Sequence, residues 1–599
     1  MVEKTTSPDQ DGWGEMTSEA IQAMLMANAV RSSPYRHPFF RRLYLVAFLL
    51  VTLLILLPAW TIIYILTKNR PRRNWALKRC LRVRFSRRLC GLIARCEIDY
   101  LGRDLSIDLD RRKLKYSHPV NIPPAPSDIL CGHPKEALDL LQASRGRWVP
   151  QYIHRCKREK EGIWGKWNNS HDGNVYGLEE VKAFWYTGEK STAEEAPPSR
   201  RRGDPVMLHF HGGGYVLGTA AETSLSSNFP RALVKHSPIH HVLSVDYRLA
   251  PTAPWPLPLL DAISAYHWLV KVEGVEERDI TVAGDSAGGH LALNLVRWLR
   301  DQGQSIGLRM PRGMVLLSPW ADLGFTNVWG EEAIRHNKDS DTIDDTFGPF
   351  ACSLLLRALP ASIMHTSPYI SPASLLLPEA SQGEHSFEKF PATYIVYGGA
   401  ERLSTNIELL WSRIRLSREF EPPIVPDRLF VSPDAIHDFM IFPWMAEEAS
   451  EVYEDLDGWL RELLSADLPE EDEQSVAESL ELEDSPEASW KEMVRQRRLS
   501  RQMTRESIKS HKSPVMGPVR DDLGMIRMME DMSEEGLSMI TPDLSMPQFD
   551  LEMPKSPEWL TPLTSDLRPD YSLDDDEVPW YDLDGNADRD LDMETRKDR

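Results

Sequence analysis

TVAGDSAGGHL (Thr281–Leu291) begins as a buried-looking apolar run, passes through a serine set between glycines, and continues as a helical pattern. Gly284-Asp285-Ser286-Ala287-Gly288 fits G-x-S-x-G, the tight strand-to-helix elbow that lifts a serine hydroxyl above the end of a sheet. Side chains at 284 and 288 would collide with neighbouring backbone in such a turn, which explains the glycines. The helix that follows directs its partial positive N-terminal charge towards the same point. A serine between a buried strand and a helix reads as a nucleophile, not as a chance glycine-serine turn.

Outward from this elbow, short apolar runs recur: VMLHF (206–210), HVLSV (241–245), ITVAG (280–284), MVLLS (314–318), TYIVYG (393–398) and RLFVS (428–432). Helical stretches at 257–272, 287–302, 404–419 and 443–464 separate them, and GLEEVKAFWYTG (177–188) reads as an earlier strand. Buried strands alternating with helices predict an α/β fold with a mostly parallel, doubly wound sheet.

VMLHF runs into His211-Gly212-Gly213-Gly214-Tyr215. Consecutive glycines let backbone N–H groups turn inward to meet a developing oxyanion, and losing one such donor typically costs about 10²- to 10³-fold in rate. Gly213, Gly214 and Ala287 are the expected donors. No G-x-x-x-x-G-K-[ST] follows, which removes the phosphate-cradle reading. A serine hydroxyl needs an imidazole base, and the imidazole needs a carboxylate to orient it. Of the 17 histidines, His437 in Asp434-Ala435-Ile436-His437-Asp438-Phe439 lies after the last strand, where the base belongs. His211 precedes the serine strand and is expected to be a structural hydrogen-bonder. The acid should follow TYIVYG, where Glu401 stands, with Asp434 and Asp438 as weaker alternatives.

These motifs resemble the hormone-sensitive-lipase-like group of α/β-hydrolases over residues about 205–445. HGGGY (211–215), DYRLAP (246–251), GDSAGG (284–289), SPWADL (318–323) and HDF (437–439) carry the resemblance. It implies an α/β-hydrolase fold with a helical cap, a triad of Ser286, Glu401 and His437, and an oxyanion hole of Gly213, Gly214 and Ala287. Asp285 would hold the elbow's backbone. No cofactor and no metal is implied. Two departures stand out: Thr252 follows DYRLAP where the group usually has a glutamate, and Ser404 and Thr405 follow Glu401 in place of further carboxylates. Residues 324–390 correspond to the part that closes over the acyl pocket; Phe347, Phe350, Leu354, Leu355 and Leu356 line such a lid or pack as helix core. The expected activity is hydrolysis of hydrophobic carboxylic esters, namely short-chain acylated sterols, acylglycerols or lipophilic xenobiotics. A catalytically silent ligand-binding or scaffold protein, and an amidase or peptidase using the same triad, are the alternatives.

At 599 residues the chain exceeds one core, and its segments differ in character. Residues 1–42 are polar. Leu43–Leu66 is an uncharged run whose 24 residues would span about 36 Å as a helix, enough for a single transmembrane pass. Pro58 interrupts it; a monotopic hairpin turning there is the lesser reading. Residues 67–147 form a basic juxtamembrane region, which points to lipid headgroups. A hydrolase domain over 148–465 and a disordered acidic tail over 466–599 complete the expected division. The heavier basic flank is C-terminal, which puts the catalytic part on the cytosolic side, with the endoplasmic reticulum as a candidate membrane. The sequon Asn168-Asn169-Ser170 and membrane-bound relatives with lumenal catalytic domains keep the opposite orientation open. A net charge of -21 with one local basic block excludes a nucleic-acid binder as partner. The six cysteines form no CxxC pair and read as reduced thiols. Arg497-Arg498-Leu499-Ser500 suits a basophilic kinase, so regulation at Ser500 through added charge is a further expectation.

Overall fold

The structure is a computed structural model that describes residues 38–96, 114–143, 177–187, 200–250, 252–326, 337–356, 359, 363–419 and 422–466. The expectations for residues 1–37 of the polar N-terminus, the sequon at Asn168, the tail beyond residue 466 and Ser500 lie outside these residues. Residues 38–42 already belong to the helix that holds the apolar run.

Eight strands form one sheet: β1 (Ser117–Ile122), β2 (Val181–Thr187), β3 (Val206–Phe210), β4 (His241–Asp246), β5 (Ile280–Asp285), β6 (Gly313–Leu317), β7 (Ala392–Gly398) and β8 (Arg428–Ser432). Their order is β1-β2-β4-β3-β5-β6-β7-β8. β2 pairs antiparallel with both β1 and β4, and every pairing from β4 to β8 is parallel. The chain leaves β3 for β4 on one side and returns to β5 on the other. The C-terminal ends of β3 and β5 therefore flank the switch point, where open α/β sheets hold their ligands. β1 was not foreseen. It draws residues from the stretch 67–147 into the sheet, so the fold begins before position 148.

Side chains alternate across the sheet with period two. Val206, Leu208 and Phe210 join one core with Ile280, Val282 and Ile395, while Met207, Ala283, Tyr394 and Val396 join the other. On the first face lie α3 (His133–Ala143), α5 (Leu257–His267), α6 (Ala287–Gln302) and α8 (Ser404–Ser417). On the second lie α4 (Asn228–His236) and α9 (Ala446–Ser465), whose Val452, Leu456, Trp459 and Leu463 recur at helical spacing. The five described cysteines are free.

The apolar run forms helix α1, Phe39–Ile65, with mean hydropathy 2.6 and only 11% of its most apolar window buried. Pro58 does not turn it into a hairpin. The widened turn at Thr52–Leu56 precedes the proline, whose ring clashes with the carbonyl four residues back and whose nitrogen donates nothing. One strip of α1 packs on protein: Trp60 and Tyr64 join the second core, and Phe48 joins the first. Leu54 and Ile62 are 71% and 70% exposed on the other side.

α2 (Leu77–Cys96) carries the basic block, and the structure alters its reading. Arg79 pairs with Glu448, Arg84 with Asp339 and Arg87 with Asp345, while the Arg88 guanidinium lies 4.4 Å from the Phe48 ring and its Nε donates to Thr52. Much of the charge expected to meet lipid headgroups is thus engaged by the protein itself.

Candidate active site

The elbow is built as the glycines demanded. A Cβ on Gly284 would stand 2.2 Å from the Gly288 carbonyl oxygen, and one on Gly288 would stand 2.0 Å from that of Phe210. Between them Ser286 takes φ 51°, a left-handed conformation that costs a non-glycine residue about 1–3 kcal/mol. Its N–H donates to the Leu317 carbonyl at 2.8 Å, and its own carbonyl accepts from Trp320 at 3.0 Å. SPWADL, at the end of β6, thus holds the elbow in its strained form.

The sheet register brings the loops together. β5 ends with Asp285 opposite Leu317, β6 with Leu317 opposite Val396, and β7 with Gly398 opposite Ser432. Ser286, Ser318, Glu401 and His437 follow these strand ends. His437 Nε2 lies 2.9 Å from Ser286 Oγ, and its Nδ1 lies 3.5 Å from Glu401 Oε1. That second separation is at the outer edge of hydrogen-bond reach. Neither Nδ1 nor Oε1 has a hydrogen-bond partner among the described residues, and both are buried. The other Glu401 oxygen accepts from Ser318 Oγ at 2.6 Å and from the Gly398 N–H at 2.9 Å. Ser318 Oγ in turn accepts from the Asp438 N–H at 3.2 Å.

Of the alternative acids, Asp434 is turned away, with Oδ2 on Asn74 and its carbonyl on the Trp75 indole. Asp438 Oδ2 lies 3.3 Å from Nε2 of His437, the nitrogen facing the serine. Burial opposes protonation of His437, but Asp438 and then Glu401 outweigh it and hold the imidazole well above the ordinary histidine range. Burial, countered in part by His437, pushes the Asp438 carboxyl up to about 7.

The glycine loop is anchored from beneath. Asp285 Oδ2 accepts from the Gly212 N–H at 2.8 Å, and Oδ1 meets His209 Nε2 at 3.1 Å. Asp285 therefore ties the glycine loop to β5, where the sequence reading had it holding the elbow. Gly213 sits at φ 114° and Gly214 at φ 62°, and the amides of Gly213, Gly214 and Ala287 have no acceptor among the described residues. His211 is buried, stacked 4.5 Å from the Tyr247 ring, with Nδ1 2.7 Å from the Gly212 carbonyl, as a structural residue should be.

Helix α7 (Phe347–Leu355) covers this loop. Phe350, Leu354, Leu355 and Leu356 are buried as core, whereas the Phe347 ring would meet a Cβ on Gly214 at 2.9 Å. Phe350, Leu354, Leu355 and Leu356 thus pack as helix core, and Phe347, partly buried against the same core, also touches the glycine loop. Among the described residues no group of His, Cys, Asp and Glu could hold a metal ion.

A family model described as alpha/beta hydrolase fold matches residues 207–441. An esterase from Acinetobacter venetianus is 32% identical over 202 residues, which is 33% of this chain and 57% of that protein. Human hormone-sensitive lipase is 36% identical over 131 residues, 21% of this chain and 11% of that one. Esterase LipU from Mycobacterium tuberculosis is 30% identical over 263 residues, 43% of this chain and 77% of that protein. The chain is a hormone-sensitive-lipase-like α/β-hydrolase. In this hydrolase the matched span holds the glycine loop, the elbow, Glu401 and His437. It leaves out α1, α2 and β1, and the chain spans little more than half the length of the Acinetobacter relative.

The sequence motifs singled out no role for Ser318, Asn337 or Asp341. Ser318 lay inside SPWADL, at a strand end beside the elbow, which was the signal available. Asn337 and Asp341 sit in irregular backbone with no periodicity to mark them.

Proposed function

We propose that this hydrolase cleaves carboxylic esters of hydrophobic acids or alcohols through Ser286, His437 and Glu401. His437 Nε2 takes the proton as Ser286 Oγ attacks the acyl carbonyl. The carbonyl oxygen becomes an oxyanion and receives the N–H groups of Gly213, Gly214 and Ala287. Collapse of this intermediate breaks the ester bond, and His437 returns the proton to the departing alcohol. Water then attacks the acyl-serine as His437 takes its proton, and His437 returns that proton to Ser286 Oγ as the acid departs. Glu401 orients the imidazole and stabilises its charged form. No cofactor or metal enters these steps.

The observation that supports the reading is the hydrogen bond between His437 Nε2 and Ser286 Oγ at 2.9 Å, with Glu401 Oε1 3.5 Å from the other ring nitrogen. The names of the relatives, two esterases and a lipase, agree with it. Phe347 over the glycine loop favours an apolar acyl group. Ser286→Ala should reduce hydrolysis of p-nitrophenyl esters to background while the protein stays folded, as read by absorbance kinetics and thermal unfolding. Retained turnover in that variant would remove the assignment. A wild-type protein that binds a lipophilic ligand but turns over no ester would favour the silent-receptor alternative.

For the rest of the chain, α1 is read as a membrane anchor with the catalytic part facing the cytosol, and the acidic tail as a segment regulated by a kinase at Ser500. Protease protection in intact microsomes tests the first, and phosphopeptide mapping the second.

A further inference from the structure

The loop that carries Glu401 is held by a short segment with no regular structure, Asn337–Asp345. Asn337 Nδ2 donates to the Glu401 carbonyl at 2.8 Å, and Ser340 Oγ donates to that of Ala400 at 2.9 Å. Asp341 is wholly buried. Its Oδ2 accepts from the Arg402 N–H at 2.8 Å, and its Oδ1 accepts from the His437 N–H at 3.1 Å. One carboxylate thus fixes the backbone of the acid loop and of the base loop together.

This strap is held from the other side by the residues that follow α1. Arg72 Nη2 donates to Asn337 Oδ1 at 2.6 Å and to the Gly399 carbonyl at 2.8 Å. Arg87, itself buried, donates to the Lys338 carbonyl and pairs with Asp345, which also pairs with Arg402 of the acid loop. α2 runs so close that a Cβ on its Gly91 would stand 2.9 Å from the Asp344 carboxyl carbon.

We propose that Arg72 and Arg87 are positioning residues of the hydrolytic site, acting through the 337–345 strap on Glu401 and His437. The catalytic unit then includes Arg72 and Arg87, two residues that precede the matched hydrolase span. A charged guanidinium bridging two loops sets their separation, and the separation sets the Nδ1-to-carboxylate and Nε2-to-hydroxyl geometry. Such a residue affects turnover more than substrate binding.

The kinetic half of the test rests on the ester-hydrolase reading, so a second readout is independent of it. Full-length wild type, Arg72→Ala, Arg72→Lys, Asp341→Asn and the control Arg79→Ala are compared in detergent micelles. Hydrolysis of p-nitrophenyl butyrate is measured beside amide hydrogen exchange in peptides covering 398–402 and 434–440. Arg79 pairs with Glu448, and among the described residues no hydrogen bond or ion pair joins it to the strap. In Arg72→Ala, kcat is expected to fall roughly 10- to 100-fold with KM within about twofold of wild type. Arg72→Lys should recover part of the loss, and Arg79→Ala should keep wild-type kcat. The amides of Arg402 and His437 should exchange faster in Arg72→Ala and Asp341→Asn and be unchanged in Arg79→Ala. An unchanged kcat in Arg72→Ala, a raised KM with kcat held, or an equal effect in Arg79→Ala would each overturn the proposal. A wild type that hydrolyses no ester, yet shows the exchange response, removes the ester-hydrolase reading and supports the strap. A hydrolytic wild type with neither response to Arg72→Ala removes the strap alone.

Discussion

Asp438 follows the proposed base by one residue, yet its carboxylate faces the ring nitrogen that also faces Ser286. It is the first-ranking charge holding the His437 pKa above its ordinary value near 6.5. In the proposed mechanism the neutral imidazole is the base, so activity should be lost as pH falls through that raised value. Asp438→Asn removes the carboxylate, which should move the acid limb of the kcat/KM profile to lower pH; a limb that stays put or moves up contradicts this role. Stability carries the opposite sign. A raised histidine pKa stabilises the fold fully below about 6.5, and the contribution fades as pH rises through the folded value. At this scale the sequence was most readable where function requires a fixed order along the chain. Ser286, Glu401 and His437 each follow a recognisable strand. Asp341 was invisible, because what it does depends on two loops meeting in space and leaves no pattern in its own neighbourhood.

The elements show why some signals survive in a sequence and others fade. β3 to β7 are almost wholly buried, so each reads as an apolar run. The edge strand β8 is half-buried but keeps Leu429, Phe430 and Val431, and the register carries the C-terminal ends of β5 to β8 to a common edge. β1 is an edge strand, SHPVNI, with a proline in it and half-exposed residues at its centre. Proline is tolerated there because one side of an edge strand donates to no neighbour, and the same proline hides the strand from a pattern search. The elbow is the opposite case, fully determined by sterics. Gly288→Ala would set a methyl group against the Phe210 carbonyl at 2.0 Å, where only backbone could yield. It should destabilise the fold by roughly 2–4 kcal/mol or prevent its formation, as read by denaturant unfolding. A variant of wild-type stability would mean that the turn can open enough to take a methyl group.

At the scale of the whole molecule, the expected partition into anchor, linker and enzyme gives way to a more continuous arrangement. One strip of α1 rests on the hydrolase through Phe48, Trp60 and Tyr64. α2 bridges α1 and the strap, and its arginines face carboxylates and carbonyls more than open surface. The motifs alone could not show this, since the family resemblance begins near residue 205 and carries no information about what precedes it. All of these contacts converge on one serine and one imidazole. The most direct test of that centre is to treat the full-length protein with a fluorophosphonate probe and map the modified peptide by mass spectrometry. The account predicts a single stoichiometric label on Ser286 that is lost in His437→Ala. Labelling at another residue, or undiminished labelling of Ser286 without His437, would contradict it.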